Sequence, residues 1–164
     1  GKKILTFPDR IRLTVEAIES GKSAMFLGGW YSFTGEQGKG GWGRTRLADI
    51  LPLRCLDYED LMESTEGFSV EATPPGSKAF LDFDFSHLPP LLGYNRTLPR
   101  PEGQTLLKIK ETGDPLLATM KVGKGQALAF TSDPAPHWGC NFIFWDKYQE
   151  FWLHSLDLIC LQKD

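Results

Sequence analysis

Lys22-Ser23-Ala24-Met25-Phe26-Leu27-Gly28-Gly29-Trp30-Tyr31-Ser32 is the stretch on which the fold turns. Ala24 to Leu27 is continuously apolar and two glycines follow at once, the pattern of a buried strand that ends in a sharp turn. Upstream, Ile11, Val15 and Ile18 recur at i, i+4 and i+7. With Pro8 at the start and Ser20-Gly21 at the stop, they predict a surface helix of about three turns. A helix feeding a buried strand is the grammar of βαβ units and predicts an α/β domain.

Downstream, Glu36 to Arg44 is glycine-rich and polar, so a loop is expected, and Arg46 to Ile50 reads as a short helix that Pro52 ends. Leu53 to Lys78 shows strand-like alternation around Phe68 to Ala72, broken at Pro74-Pro75-Gly76. Leu88 to Asn95 reads as an extended, proline-marked loop. Gln104 to Lys110 and Leu116 to Val122 read as strands, the second joined through Gly123-Lys124-Gly125 to a third at Gln126 to Thr131. Tyr148, Phe151, Trp152, Ser155, Leu156 and Ile159 keep helical spacing, which predicts a closing amphipathic helix against the sheet. No repeat or flexible linker interrupts this order.

The chain has 164 residues, 41% of them hydrophobic, enough for one core and too short for two comfortable domains, so residues 1–164 are expected to form one. With 18 basic against 21 acidic residues and a net charge of -3, there is no basic footprint for nucleic acid and no basic amphipathic helix for a membrane surface. No apolar run approaches the ~20 residues that cross a bilayer. Gly1-Lys2-Lys3-Ile4 lacks a signal peptide's apolar core, so the expected location is cytoplasmic. Cys55, Cys140 and Cys160 are widely spaced and odd in number, which fits free thiols. Neither they nor His87 and His154 have metal-ligand spacing, and no metal or other cofactor is expected.

Thr131-Ser132-Asp133-Pro134-Ala135-Pro136-His137-Trp138-Gly139 holds a histidine in a proline-stiffened loop just after a strand, where α/β folds place their chemistry. His137 there reads as a site residue, against a plain packing role beside Trp138. Asp133 either orients the imidazole or forms an Asx turn before Pro134, and the two roles are compatible. Trp30, Tyr31, Trp42, Tyr94 and Trp138, if gathered at one sheet edge, would line an aromatic cleft with Asn95, Asp133 and His137 as polar contacts, suited to a small polar molecule. The same aromatics would equally serve to cap a core or bury a homo-oligomer interface. Gly38-Lys39-Gly40-Gly41-Trp42-Gly43 fits G-x-G-x-x-G but follows no strand directly. It reads better as a mobile flap carrying Trp42 and Arg44.

Gly28 to Phe33, Pro90 to Asn95, Asp114 to Ala118, and Thr131 to Gly139 followed by Phe144-Trp145 together resemble the glutamine amidotransferase-like family. These are uncharacterised bacterial cytoplasmic proteins of the class I glutamine amidotransferase-like superfamily. The resemblance runs from near Phe7 to the closing helix. It implies a flavodoxin-like three-layer sandwich with a mainly parallel sheet, of which this chain would be the later part, lacking the first strands. It also identifies Phe26 to Ser32 as the strand-turn that carries the nucleophilic cysteine in class I enzymes, and here the matching position is Trp30, which cannot attack a glutamine amide. The acid usually found two residues beyond the catalytic histidine is replaced by Gly139.

Three functions are therefore carried forward. The leading one is a small-molecule-binding domain without the nucleophilic cysteine, its pocket lined by Gly29, Trp30, Tyr31, Asn95, Asp133 and Trp138. The second is a hydrolase or amidotransferase relative in which His137 is the base for Ser32, Cys140 or a water. In that case the bland alternatives are local hydrogen bonding for Ser32 and an inert thiol for Cys140. The third is a structural, oligomerising domain.

Overall fold

The computed structural model describes residues 9–160; the expected helix start at Pro8 lies outside them. Helix α1 (Arg10–Glu19) opens on Asp9, whose carboxylate accepts the Arg12 amide at 3.0 Å, an N-cap that satisfies one of the orphan donors of the first turn. Strand β1 (Ser23–Leu27) follows, then two single-turn 3-10 segments, the short helix α2 (Leu47–Ile50) and strands β2 (Leu53–Cys55), β3 (Leu61–Phe68) and β4 (Val70–Ala72). Helix α3 (Pro74–Ala79) leads to β5 (Leu91–Asn95) and β6 (Thr97–Pro99), then β7 (Gln104–Ile109), β8 (Pro115–Val122) and β9 (Gly125–Phe130), and the chain closes on α4 (Tyr148–Cys160).

A five-stranded sheet in the order β1-β9-β8-β7-β4 forms the centre, with two-stranded sheets β2-β6 and β3-β5 beside it. Alternation along β9 assigns its faces: Leu128 and Phe130 pack in the cluster that includes Phe151 and Ile159 of α4, while Ala127 and Ala129 pack with Val15 and Ile18 of α1. Helix, sheet and helix thus make three layers.

The sheet is mixed rather than mainly parallel, which corrects the expectation drawn from resemblance. Among the described residues only β1 and β9 run parallel; β9-β8, β8-β7 and β7-β4 are antiparallel. The reason is connection length. A parallel return needs a crossover of about a dozen residues, whereas two residues join β8 to β9 and five join β7 to β8. Two further expectations change. Pro74-Pro75-Gly76 begins a helix instead of only breaking a strand, since the Thr73 hydroxyl accepts the Gly76 amide at 3.2 Å and prolines suit the first helical turn. Leu88 to Asn95 contains a strand, β5, which pairs antiparallel with β3.

The core should answer to truncation in proportion to burial. Leu128→Ala, at a fully buried position on the α4-facing side of β9, is expected to cost about 2–5 kcal/mol in urea unfolding, and Leu153→Ala on the exposed side of α4 within about 0.5 kcal/mol.

Candidate functional site

Because β1 and β9 are parallel neighbours, their C-terminal ends, Leu27 and Phe130, lie side by side and their loops leave the sheet together. Gly28 sits where they meet. Its amide donates to the carbonyls of Phe130 (2.8 Å) and Ser132 (3.1 Å), and a Cβ there would stand 2.2 Å from the Thr131 carbonyl oxygen, so only glycine fits. The two loops then bring Trp30 onto His137, ring centroids 4.6 Å apart at 34°.

The His137 loop is held from several sides. The Asp133 carboxylate accepts the Ala135 amide at 3.3 Å, an Asx turn; Tyr148 of α4 donates its hydroxyl to the Pro134 carbonyl at 2.8 Å; and the Leu92 amide donates to the Trp138 carbonyl at 2.9 Å. Trp138 is 2% exposed, and its indole fills a slot beside Gly93 where a Cβ would lie 2.5 Å from the ring nitrogen. Gly93 is the register partner of Glu63 on β3. That pairing aims the Glu63 carboxylate at the indole: its Oε1 accepts Trp138 Nε1–H at 2.7 Å and Trp30 Nε1–H at 3.2 Å. One oxygen thus joins two tryptophans from two loops.

Around this junction lies an open cleft of about 400 Å3, walled by Trp30, Leu92, Trp138 and His137, with Glu63, Ser64 and Thr65 on its β3 side. Hollows of about 510 and 580 Å3 lie elsewhere. The first contains Arg100, whose guanidinium is spent on the carbonyls of Ala48 and Leu51 and on Glu102; it also contains Cys55, whose thiol burial pushes up to about 12. Arg100 and Cys55 there serve the fold, whereas the Trp30 cleft gathers residues of both strand-end loops, so volume does not decide and the Trp30 cleft is the better candidate.

Beneath the cleft runs a buried polar frame. Asn95, expected as a ligand contact, is 0% exposed: its Oδ1 accepts the Gly29 amide at 2.8 Å, and its Nδ2 donates to Asp60 Oδ1 at 2.9 Å and to the Ser32 carbonyl at 3.4 Å. Asp60 also accepts the amides of Thr34 and Gly35, both at 2.9 Å. Asn95 therefore shapes the Gly29-Ser32 turn from below. Tyr31 is 58% exposed and stands apart from the cleft lining, with the Lys39 ammonium 5.7 Å from its ring centre. Ser32 and Cys140 are half-buried, and no hydrogen bond among the described residues joins either side chain to the exposed His137 ring. The expected flap is instead a packed turn: Trp42 lies against Phe33 (4.9 Å) and Phe26 (6.0 Å), its amide donates to the Phe33 carbonyl, and Arg44 donates to the Asp57 carbonyl. Phe33 itself, fully buried, takes the left-handed φ of 52° that this turn requires. Among the described residues no three His, Cys, Asp or Glu side chains gather as a metal site.

The chain belongs to the family described as "Putative glutamine amidotransferase", whose model matches residues 2–161. Among solved structures it is similar to cytoplasmic protein STM3548 of Salmonella typhimurium, at 32% identity and a TM-score of 0.88 over 95% of this chain and 62% of that one. It is also similar to cytoplasmic protein STM1381 of Salmonella typhimurium LT2, at 35% identity and a TM-score of 0.86 over 93% of this chain and 61% of that one. The chain thus spans about three fifths of the length of either relative. A likeness to the exo-beta-1,4-mannosidase Op5Man5 of Opitutaceae bacterium strain TAV5, at 18% identity and a TM-score of 0.54 over 98% of this chain and 25% of that one, concerns the fold alone. No curated protein matches. No helix among the described residues is long and apolar enough to cross a membrane.

Two substitutions test the frame. Gly93→Ala should drive Trp138 from its slot, with a loss of about 1–3 kcal/mol in urea unfolding and a weakened near-UV circular dichroism signal. Asp60→Asn tests the buried carboxyl, which burial raises above its ordinary value against the opposing hydrogen bonds from Asn95, Thr34 and Gly35. A carboxyl raised in the folded state keeps its proton there longer than in the unfolded chain. Its contribution to stability is thus present at low pH and lost as pH rises through the raised value. The stability gap between the parent chain and Asp60→Asn should accordingly shrink as pH rises above the ordinary aspartate range; a gap that widens contradicts the assignment.

Proposed function

We propose that this chain is a small-molecule-binding member of the glutamine amidotransferase-like family that lacks glutaminase chemistry, its ligand seated in the cleft of Trp30, Glu63, His137 and Trp138. The observation that carries the reading is the state of Trp30. Its indole lies on the His137 ring and donates its N–H to Glu63, at the strand-end turn that the family resemblance matches to the cysteine-bearing turn of class I enzymes. A tryptophan held this way supplies a recognition surface and no nucleophile. Among the described residues no hydrogen bond joins the His137 imidazole to the side chain of Ser32 or Cys140, which supports it against the hydrolase reading. On this reading the mixed sheet is a flavodoxin-like variant, and the chain works in the cytoplasm, as its two Salmonella relatives are named.

The test pairs turnover with binding. Incubation with glutamine should release no glutamate above a protein-free control. Titration with a panel of neutral, anionic and cationic small molecules should move the indole N–H resonances of Trp30 and Trp138 for one class. Glutamate release that disappears in His137→Ala and Ser32→Ala would return the chain to the hydrolases. Trp30 signals that respond only to dilution would make the face a contact between copies.

A further inference from the structure

The chemistry of the cleft is narrower than "small and polar". Glu63 presents its carboxylate to the cleft, and only Oε1 is engaged, by the two indole donors. Oε2 accepts no hydrogen bond from the described residues, and none of the salt bridges among them includes Glu63. Among the described residues neither lysine nor arginine lines the space. The adjoining hydroxyl of Ser64 is already accepting the amides of Glu66 and Gly67, both at 3.2 Å.

Three ligand classes can be weighed against that equipment. An anion would meet the Glu63 carboxylate with no lysine or arginine among the described residues to receive it, and with the His137 imidazole as the one basic group in the lining. A sugar needs several donors and acceptors spread over its ring, and the cleft offers one unengaged carboxylate oxygen, the His137 imidazole stacked against Trp30, and two hydroxyls, one of them occupied. An organic cation needs apolar walls for its carbon groups, an aromatic face and a counter-charge, and all three are present in the walls Leu92 and Trp138, the 40% exposed Trp30 and Glu63.

We infer that the cleft binds a small organic cation, an alkylated or methylated ammonium, with its charge between the Glu63 carboxylate and the Trp30 indole. This rests on the small-molecule reading above and specifies its ligand class. Both attractions act in a site open to water, where each is modest, so a dissociation constant in the millimolar range follows.

Choline and its uncharged isostere 3,3-dimethyl-1-butanol, which share a shape and differ in charge, separate the possibilities on the intact chain. Choline should shift the Trp30 and Trp138 indole resonances saturably, and the isostere should bind at least about fivefold more weakly. Glu63→Gln keeps an oxygen for both indoles and removes the charge, so it should weaken choline by about fivefold while leaving the isostere unchanged; Trp30→Leu should weaken choline further. Equal binding of choline and the isostere overturns the cation inference even if Glu63→Gln fails to fold, while leaving a small-molecule cleft. Binding confined to the neutral or anionic compounds of the panel does the same. Silence of both indoles toward every compound removes this inference and the functional reading together.

Discussion

The parallel contact between β1 and β9 is the constraint from which the rest of the molecule follows. Its register sets Leu27 beside Phe130 and forces Gly28 against the Thr131 carbonyl at a distance no side chain tolerates. Two loops that would otherwise be unrelated in sequence therefore start from adjacent points and travel the same way, which is why strand C-terminal edges gather ligand sites in α/β proteins. A third element joins at the same place: the Asn95 amide donates to the Thr131 carbonyl at 2.8 Å, attaching β5 and, through it, β3.

Polar groups in this region divide by depth. At the bottom, Asn95 and Asp60 spend their capacity on backbone amides and on each other, and a buried carboxyl is tolerable because several donors converge on it. At the top, Glu63, Trp30 and His137 meet solvent. Trp138 connects the two levels, buried by body and joined by its N–H to the carboxylate above. The lower level makes the upper one rigid, as a binding surface requires, since side chains that were mobile before binding would lose that freedom on contact.

Much of this was legible in local pattern. The apolar run at Ala24 to Leu27, the hairpin glycines at Gly123 and Gly125, and the helical spacing from Tyr148 to Ile159 each carry their own periodicity, and each element appears where it was read. The pairing of His137 with Trp30 depends on two strand ends that sequence placed correctly. Glu63 escaped notice because its role is wholly nonlocal. It becomes visible only through the register Glu63–Gly93, whereas the prolines of Leu88 to Asn95 suggest a loop. The direction of the sheet was misjudged for a related reason: resemblance supplied a parallel expectation, while the short connections flanking β8 admit only hairpins. The glycines around Trp42 suggest a flap, whereas its packing is decided by Phe26 and Phe33, both earlier in the chain.

The separation of frame from surface has a consequence for descent. Gly28, Gly93, Asn95 and Asp60 are each fixed by a contact with backbone or a buried ring, so a change at any of them disturbs the fold before it alters recognition. Trp30, Tyr31, Glu63 and His137 are exposed; Trp30, Glu63 and His137 meet one another and the Trp138 indole, and none of the four side chains bonds to backbone among the described residues. Drift can therefore act on the mouth of the cleft while the scaffold stays under purifying pressure. Paralogues sharing this architecture would then diverge in what they bind by exchanging a few solvent-facing side chains, with thermal stability nearly constant across the lineage.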